Sequence, residues 1–230
     1  MPALTIDQRY TAGLLLLTVS TGAIDAVSYL ALDRVFTGNM TGNVLFLGFA
    51  LVGVTGIPLL NNAVALLGFV VGSIVSGRAI GRGHTKGLPA SSAVALGIAA
   101  LVIAGLGVAT LLIGELSEPA LLVITFLLAT TMGTQVSAVK PIGNSDVTTI
   151  VVTNTVANLA RDSRLAGGHG QSWMPRLLAI VAMGLGAALG ASVVSLLGGG
   201  AALVASALVF SVGATVLVAT RRLSETARQG

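Results

Sequence analysis

Asparagine and threonine recur at four-residue spacing in two stretches of an otherwise apolar chain. The first is Phe36–Gly48, FTGNMTGNVLFLG, in which TGNM is followed at once by TGNV. Residues four apart share a face of an α-helix, so Thr37 lies with Thr41, Gly38 with Gly42, and Asn39 with Asn43. The second is 148–160, TTIVVTNTVANLA, where Thr149 and Thr153, and then Asn154 and Asn158, have the same spacing. An unpaired amide in hydrocarbon is costlier than helix packing requires. The two stripes are therefore candidate ligand-lining surfaces for a small polar solute, and the alternative is that their Thr and Asn side chains satisfy one another. Asp25 adds a carboxylate about two-thirds of the way along the first apolar segment. A charged group there costs at least about 2.5 kcal/mol unless paired, protonated or hydrated. Thr21, Gly22 and Tyr29 share its helix face. That face predicts an inward-pointing Asp25, serving either as an ion-pair partner of Arg34 or Lys140 or as a site for a coupling proton or cation.

The composition determines the setting of these residues. Of 230 residues, 54% are hydrophobic and 9% charged, with a mean hydropathy of +0.97. Soluble domains carry about 25% charged residues, so this is an integral membrane protein. The chain reads as one transmembrane domain over 1–230, with room for roughly six to eight spans of about 20 residues. The net charge of +4 reflects basic cytoplasmic loops and gives no reason to invoke nucleic acid. There is no cysteine, hence no disulfide, thiolate metal site or Cys nucleophile. His84 and His169 sit in short polar loops and are not expected to bind metal. With no paired carboxylates on one face, no HExxH and no GxSxG, neither an enzyme nor a cofactor is expected. No cleavable signal peptide is evident.

Apolar runs are expected at about 11–31, 36–54, 59–80, 90–113, 119–139, 174–197 and 201–220, with Gly198–Gly200 as a tight turn. Asp33 and Arg34 read as an interfacial pair, Asp146 and Thr148 as helix caps, Lys140 as a snorkelling side chain, and Trp173 with Arg176 as an interface anchor. The loop at 78–86, the loop at 161–176 and the C-terminal tail are rich in Arg and Lys, which predicts that all three are cytoplasmic and Glu115/Glu118 outside. The N-terminus, with Arg9, is also expected inside. The 148–160 element then begins and ends on one side. At about 1.5 Å per residue its 13 residues reach roughly 20 Å, short of a 30 Å core. It reads as a re-entrant half-helix. By charge alone 36–54 reads the same way, although that run is long enough to span.

Each half of the chain therefore reads as span, polar re-entrant element, span, span. Repeat one covers about 11–113 and repeat two about 119–220. Shifts of 111 to 112 residues place Gly22 on Gly133 and Thr37 on Thr149. The expected fold is an all-α membrane protein of about six transmembrane helices plus two re-entrant half-helices in an inverted-topology repeat, an architecture of transporters and some channels.

The segment GAIDAVSYLALDRVFTGNMTGNVLFLG resembles the signature of the YoaK family, bacterial membrane proteins carrying a domain of unknown function. A second motif, GTQVSAVK followed by DVTTIVVTNTVANLA, is a looser match. The family usually has Asn-Ala where this chain has Val136-Ser137, and often Arg in place of Lys140. The resemblance implies a multi-pass bacterial inner-membrane protein with about six spans, and brings Gln135 into the candidate set. That set is Asp25, Thr37, Asn39, Thr41, Asn43, Gln135, Thr149, Thr153 and Asn154. The expected function is a secondary transporter or facilitator of a small polar or anionic solute. A channel of the same architecture and a non-transporting partner protein are the alternatives. GxxxG-type spacings, Gly68/Gly72 and Gly186/Gly190, would permit a homodimer.

Overall fold

The structure is a computed structural model describing residues 4–83, 86–147, 149, 152–168 and 173–229. Residues 1–3, 84–85, 148, 150–151, 169–172 and 230, which include His84, Thr148 and His169, lie outside the described residues. The described chain is all α-helical: α1 (Ile6–Ala31), α2 (Met40–Leu51), α3 (Leu59–Ile80), α4 (Ala90–Ile113), α5 (Glu118–Val139), α6 (Val152–Arg161) and α7 (Trp173–Gln229). Five of these, α1, α3, α4, α5 and α7, are long and apolar enough to cross a membrane, and the protein is a multi-pass helical bundle. Its outer surface is apolar: Leu101, Leu112, Leu196 and Leu197 are all exposed, as a lipid-facing surface requires.

Helix α7 is not continuous. Gly198 has φ 85° and ψ 172°, a conformation that residues with a Cβ rarely adopt, and it separates an arm at 173–197 from an arm at 199–229. Both arms pack on α1. Along the first arm, Gly186 lies against the Val19 carbonyl and Gly190 against that of Ala23, so this arm runs parallel to α1. Along the second, Leu217 meets Gly13, Ser20 Oγ donates to the Ser206 carbonyl at 2.9 Å, and Gly199 meets Ala31. That arm is antiparallel to α1, so α7 doubles back on itself.

Helices α3 and α5 form a second close pair. Gly68 approaches the Phe126 carbonyl and Gly72 that of Thr130, while Ser76 Oγ donates to the Thr134 carbonyl at 3.4 Å. The pair is therefore parallel. A Cβ on Gly72 or Gly186 would sit 2.0 Å from the facing carbonyl oxygen, so both glycines are required by the closeness of the backbones. The GxxxG faces that suggested a homodimer are thus spent inside the chain, on α5 and α1. The core is apolar: Leu17, Ile24, Leu96, Ile103, Leu128 and Phe210 are fully buried. The N-terminal end of α1 lies at the same end of the bundle as the basic loop, with Lys86 4.0 Å from Asp7 and the Leu88 N–H donating to the Tyr10 hydroxyl at 3.4 Å.

Two expectations change here. The first polar element is shorter than its apolar run suggested: α2 begins at Met40, and Phe36 to Gly38 are not helical. Thr37 therefore does not stack on Thr41, nor Asn39 on Asn43. The second begins at Val152, so Thr149 precedes the helix. With 12 and 10 residues, α2 and α6 reach only about 18 and 15 Å.

Candidate functional site

Asp25 determines the start of α2. The chain leaves α1 through Asp33 and Arg34, both in the left-handed region at φ 68° and 58°, and turns back toward the bundle. The Asp25 carboxylate, 9% exposed, accepts the backbone N–H of Thr37 at 3.1 Å and of Gly38 at 2.7 Å, both through Oδ1. Those N–H groups are thereby engaged outside any helix, and helix formation begins only after Asn39, whose side chain accepts the Gly42 N–H at 3.4 Å. A Cβ on Gly38 would crowd this approach, lying 3.2 Å from Asp25 Oδ2 and 3.1 Å from the Thr21 methyl. The expected ion pair of Asp25 with Arg34 or Lys140 is replaced by these backbone donors. Asp33, expected beside Arg34, instead accepts from Asn61 Nδ2 at 2.9 Å.

Asn43 secures the same turn from the other side. Its Nδ2 donates to the Phe36 carbonyl at 2.6 Å and its Oδ1 accepts the Phe36 N–H at 3.0 Å. Both ends of the amide are consumed by backbone and the residue is fully buried, so Asn43 is a structural brace and not a ligand-lining group. Phe36 stacks on Tyr29 with centroids 5.0 Å apart, and on Phe46 at 6.1 Å.

A cavity of about 610 Å³ lies beside Asp25, lined by the N-terminal ends of α2 and α6. Asn39, Met40 and Thr41 contribute from α2, and Val152 and Thr153 from α6. Asp25 and Tyr29 line it from α1, Phe69 from the middle of α3, and Met183 and Ala187 from the middle of the first arm of α7. The cavity is thus at mid-length of α3 and of the first arm of α7, and beside the C-terminal third of α1. Two helix N-termini, with their positive dipole ends, border one space that a carboxylate also lines. Such a site can hold a small solute carrying both hydrogen-bond acceptors and donors.

The candidate residues divide by position. Asp25, Asn39, Thr41 and Thr153 line the cavity. Thr37 lies behind it, fully buried, with its N–H on Asp25. Gln135 of α5 is fully buried and donates through Nε2 to Thr21 Oγ1 at 3.1 Å, one helical turn before Asp25. Thr149 is buried ahead of α6, and Asn154 is exposed away from the cavity. Tyr29 had been marked by its spacing from Asp25, whereas Phe69 and Met183 carry no local sequence signal, because apolar residues on long apolar helices look alike until packing selects a few.

Arg176 fixes α6 from its far end. It donates to Asp146 Oδ1 at 2.9 Å, to Asp162 Oδ2 at 2.8 Å and to the Asn158 carbonyl at 3.1 Å. Hydrogen bonds from Arg161 and Arg176 hold the Asp162 carboxyl below its usual range. The expectation of Arg176 as an interface anchor and Asp146 as a simple cap is therefore revised: together they fasten the segment around α6 to the start of α7. Asn144 makes the turn before α6, with Oδ1 accepting the N–H groups of Asp146 and Val147 at 3.0 Å each.

Comparison with known proteins agrees with this architecture. The UPF0700 transmembrane protein YoaK of Bacillus subtilis (strain 168) is 32% identical over 147 residues, and the match spans 64% of each chain. No solved structure matches the chain. A family model described as a protein of unknown function (DUF1275) matches residues 13–216. The chain therefore belongs to the DUF1275 family of multi-pass membrane proteins.

Proposed function

We propose that this protein is a secondary transporter or facilitator of a small polar or anionic solute in a bacterial cytoplasmic membrane. The solute binds between the N-termini of α2 and α6. The observation that carries this reading is the cavity at mid-length of α3 and of the first arm of α7, shared by the ends of two helices too short to cross a bilayer. A solute site at the midplane, reached by half-helices, is how an alternating-access protein exposes one site to each side in turn.

The reading includes six spans, two half-helices and an inverted repeat, and the packing supports it. A shift of 111 residues carries Val19, Gly22 and Ala23 of α1 onto Thr130, Gly133 and Thr134 of α5. A shift of 114 carries Phe69, Gly72 and Ser76 of α3 onto Met183, Gly186 and Gly190 of α7. The contacts follow these shifts: Gly72 on the Thr130 carbonyl corresponds to Gly186 on that of Val19, and Gly133 on the Phe69 carbonyl to Gly22 on that of Met183. Helix direction agrees as well. With α1 parallel to the first arm of α7 and α3 parallel to α5, α2 and α6 either both cross the membrane or both fail to. Their lengths favour the second. The positive-inside rule then puts both termini in the cytoplasm.

Thermal unfolding of the purified protein across a panel of metabolites and inorganic ions tests the reading. A saturable rise in melting temperature with a small polar solute is expected, and it should disappear in Thr153→Val. Absence of any stabilising solute across the panel, with a well-folded protein, contradicts it.

A further inference from the structure

Behind the cavity, two fully buried oxygens have no hydrogen-bond partner: Thr37 Oγ1 and Gln135 Oε1. The orientation of the Gln135 amide follows from its neighbours. Thr21 Oγ1 donates its only proton to the Leu17 carbonyl at 2.9 Å, so it can only accept from Gln135. In this arrangement the amide presents its NH2 to Thr21, which leaves the carbonyl oxygen unmatched. Thr21 also contacts Gly38, the residue next to Thr37, and is one turn from Asp25. Thr21 thus links the three segments that carry these groups: α1 with Asp25, α5 through the Gln135 amide, and the approach to α2 through Gly38, the neighbour of Thr37. Of the carboxylate, Oδ1 is occupied by the N–H groups of Thr37 and Gly38.

Buried acceptors are rarely left unmatched, and the partners that satisfy them are donors, ordered waters or cations. Oxygen-only ligands suit a hard cation. Charge selects its valence: one positive charge neutralises Asp25, whereas a divalent ion would leave a net charge beside two positive helix ends within the bilayer. We infer that Asp25, Thr37 and Gln135 form a binding site for a monovalent metal cation, with sodium the first candidate, adjoining the solute cavity. The site supplies a coupling ion to the transport reading and rests on that reading for its role, though not for its existence. Bound cation would tie α1, α5 and the approach to α2 together and fix Asn39 and Thr41 at the cavity.

The test is the melting temperature of purified protein titrated with sodium chloride against choline chloride at constant ionic strength, with lithium, potassium and magnesium as further arms. The structure predicts a saturable rise with sodium or another monovalent metal ion. It also predicts at least a tenfold loss of apparent affinity in Thr37→Val and in Gln135→Leu. Thr37→Val is the sharper variant, because it removes a hydroxyl that bonds to nothing else and preserves shape. In choline it should melt as wild type does. Equal melting in sodium, lithium, potassium and choline overturns the proposal, as does a response to magnesium alone or an unchanged sodium response in both variants. A sodium response with no stabilising solute would keep the site and remove the transport reading. Solute stabilisation identical in sodium and choline, with no cation response, would do the reverse.

Discussion

Replacing Gly186 by alanine adds a Cβ 2.0 Å from the Val19 carbonyl oxygen and 2.8 Å from its carbon. Ordinary contact begins near 3.4 Å, so α1 and the first arm of α7 must separate by more than an ångström or rotate. The obstructing atoms are backbone, and no side-chain rotamer can relieve them. Overpacking of this kind costs about 1–3 kcal/mol. Against it stands the better helix propensity of alanine, about 1 kcal/mol. Gly184, two residues away, has open space where its Cβ would lie, so Gly184→Ala receives the propensity gain alone. The two variants should therefore differ by about 1–3 kcal/mol, with Gly186→Ala the less stable. Denaturant titration of purified protein in micelles, followed by circular dichroism, measures the difference. Gly72→Ala should match Gly186→Ala, because its Cβ meets the Thr130 carbonyl at the same 2.0 Å. Equal stability of Gly184→Ala and Gly186→Ala would refute the close parallel packing, and with it the glycine correspondence between halves.

Asn43→Leu should destabilise by about 2–6 kcal/mol, since it strips both backbone groups of Phe36 of their partners at about 1–3 kcal/mol each; a melting curve like wild type would restore Asn43 to the list of solute ligands. Arg176→Leu should raise hydrogen exchange in 152–161 while leaving α1 and α4 protected, and unchanged exchange would dismiss the Arg176 clasp. Because the Asp162 carboxyl titrates below its unfolded value of 3.8, its contribution to that clasp is complete above that value and lost as pH falls through the lower folded one; exchange in α6 should rise only in acid. Single cysteines at Leu165 and Ser117, both exposed, should label with impermeant reagent from the cytoplasmic and outer faces respectively. Labelling of both from one face would break the topology.

The long helices and the Gly198 turn were readable because membrane spans announce themselves through length and apolarity. The shortness of the second element was readable from its polar stripe, 13 residues at 148–160; α6 itself has ten, Val152–Arg161. Asp25 was legible as an inward-pointing group because residues at helical spacing, Thr21, Gly22 and Tyr29, set its face. The first stripe was misread because a four-residue repeat is evidence for a helix only if nothing else claims the backbone. Asp25 claims it, from 12 and 13 residues away, and no local pattern carries that information. The same is true of Asn43, whose amide satisfies Phe36, and of the GxxxG glycines, whose partners are helices far along the chain. Gly68 and Gly186 read identically whether they meet a second copy or, as here, α5 and α1.

The claim that the two short helices form a solute site is tested most directly by flux. Protein reconstituted into liposomes should carry the solute identified by thermal stabilisation faster than protein-free liposomes do. Asn39→Ser, which keeps a capping oxygen for α2, and Thr153→Val should both fold and reconstitute yet reduce that flux at least tenfold. Wild-type rates in both variants, or no flux above the protein-free background for a solute that binds, would contradict the account.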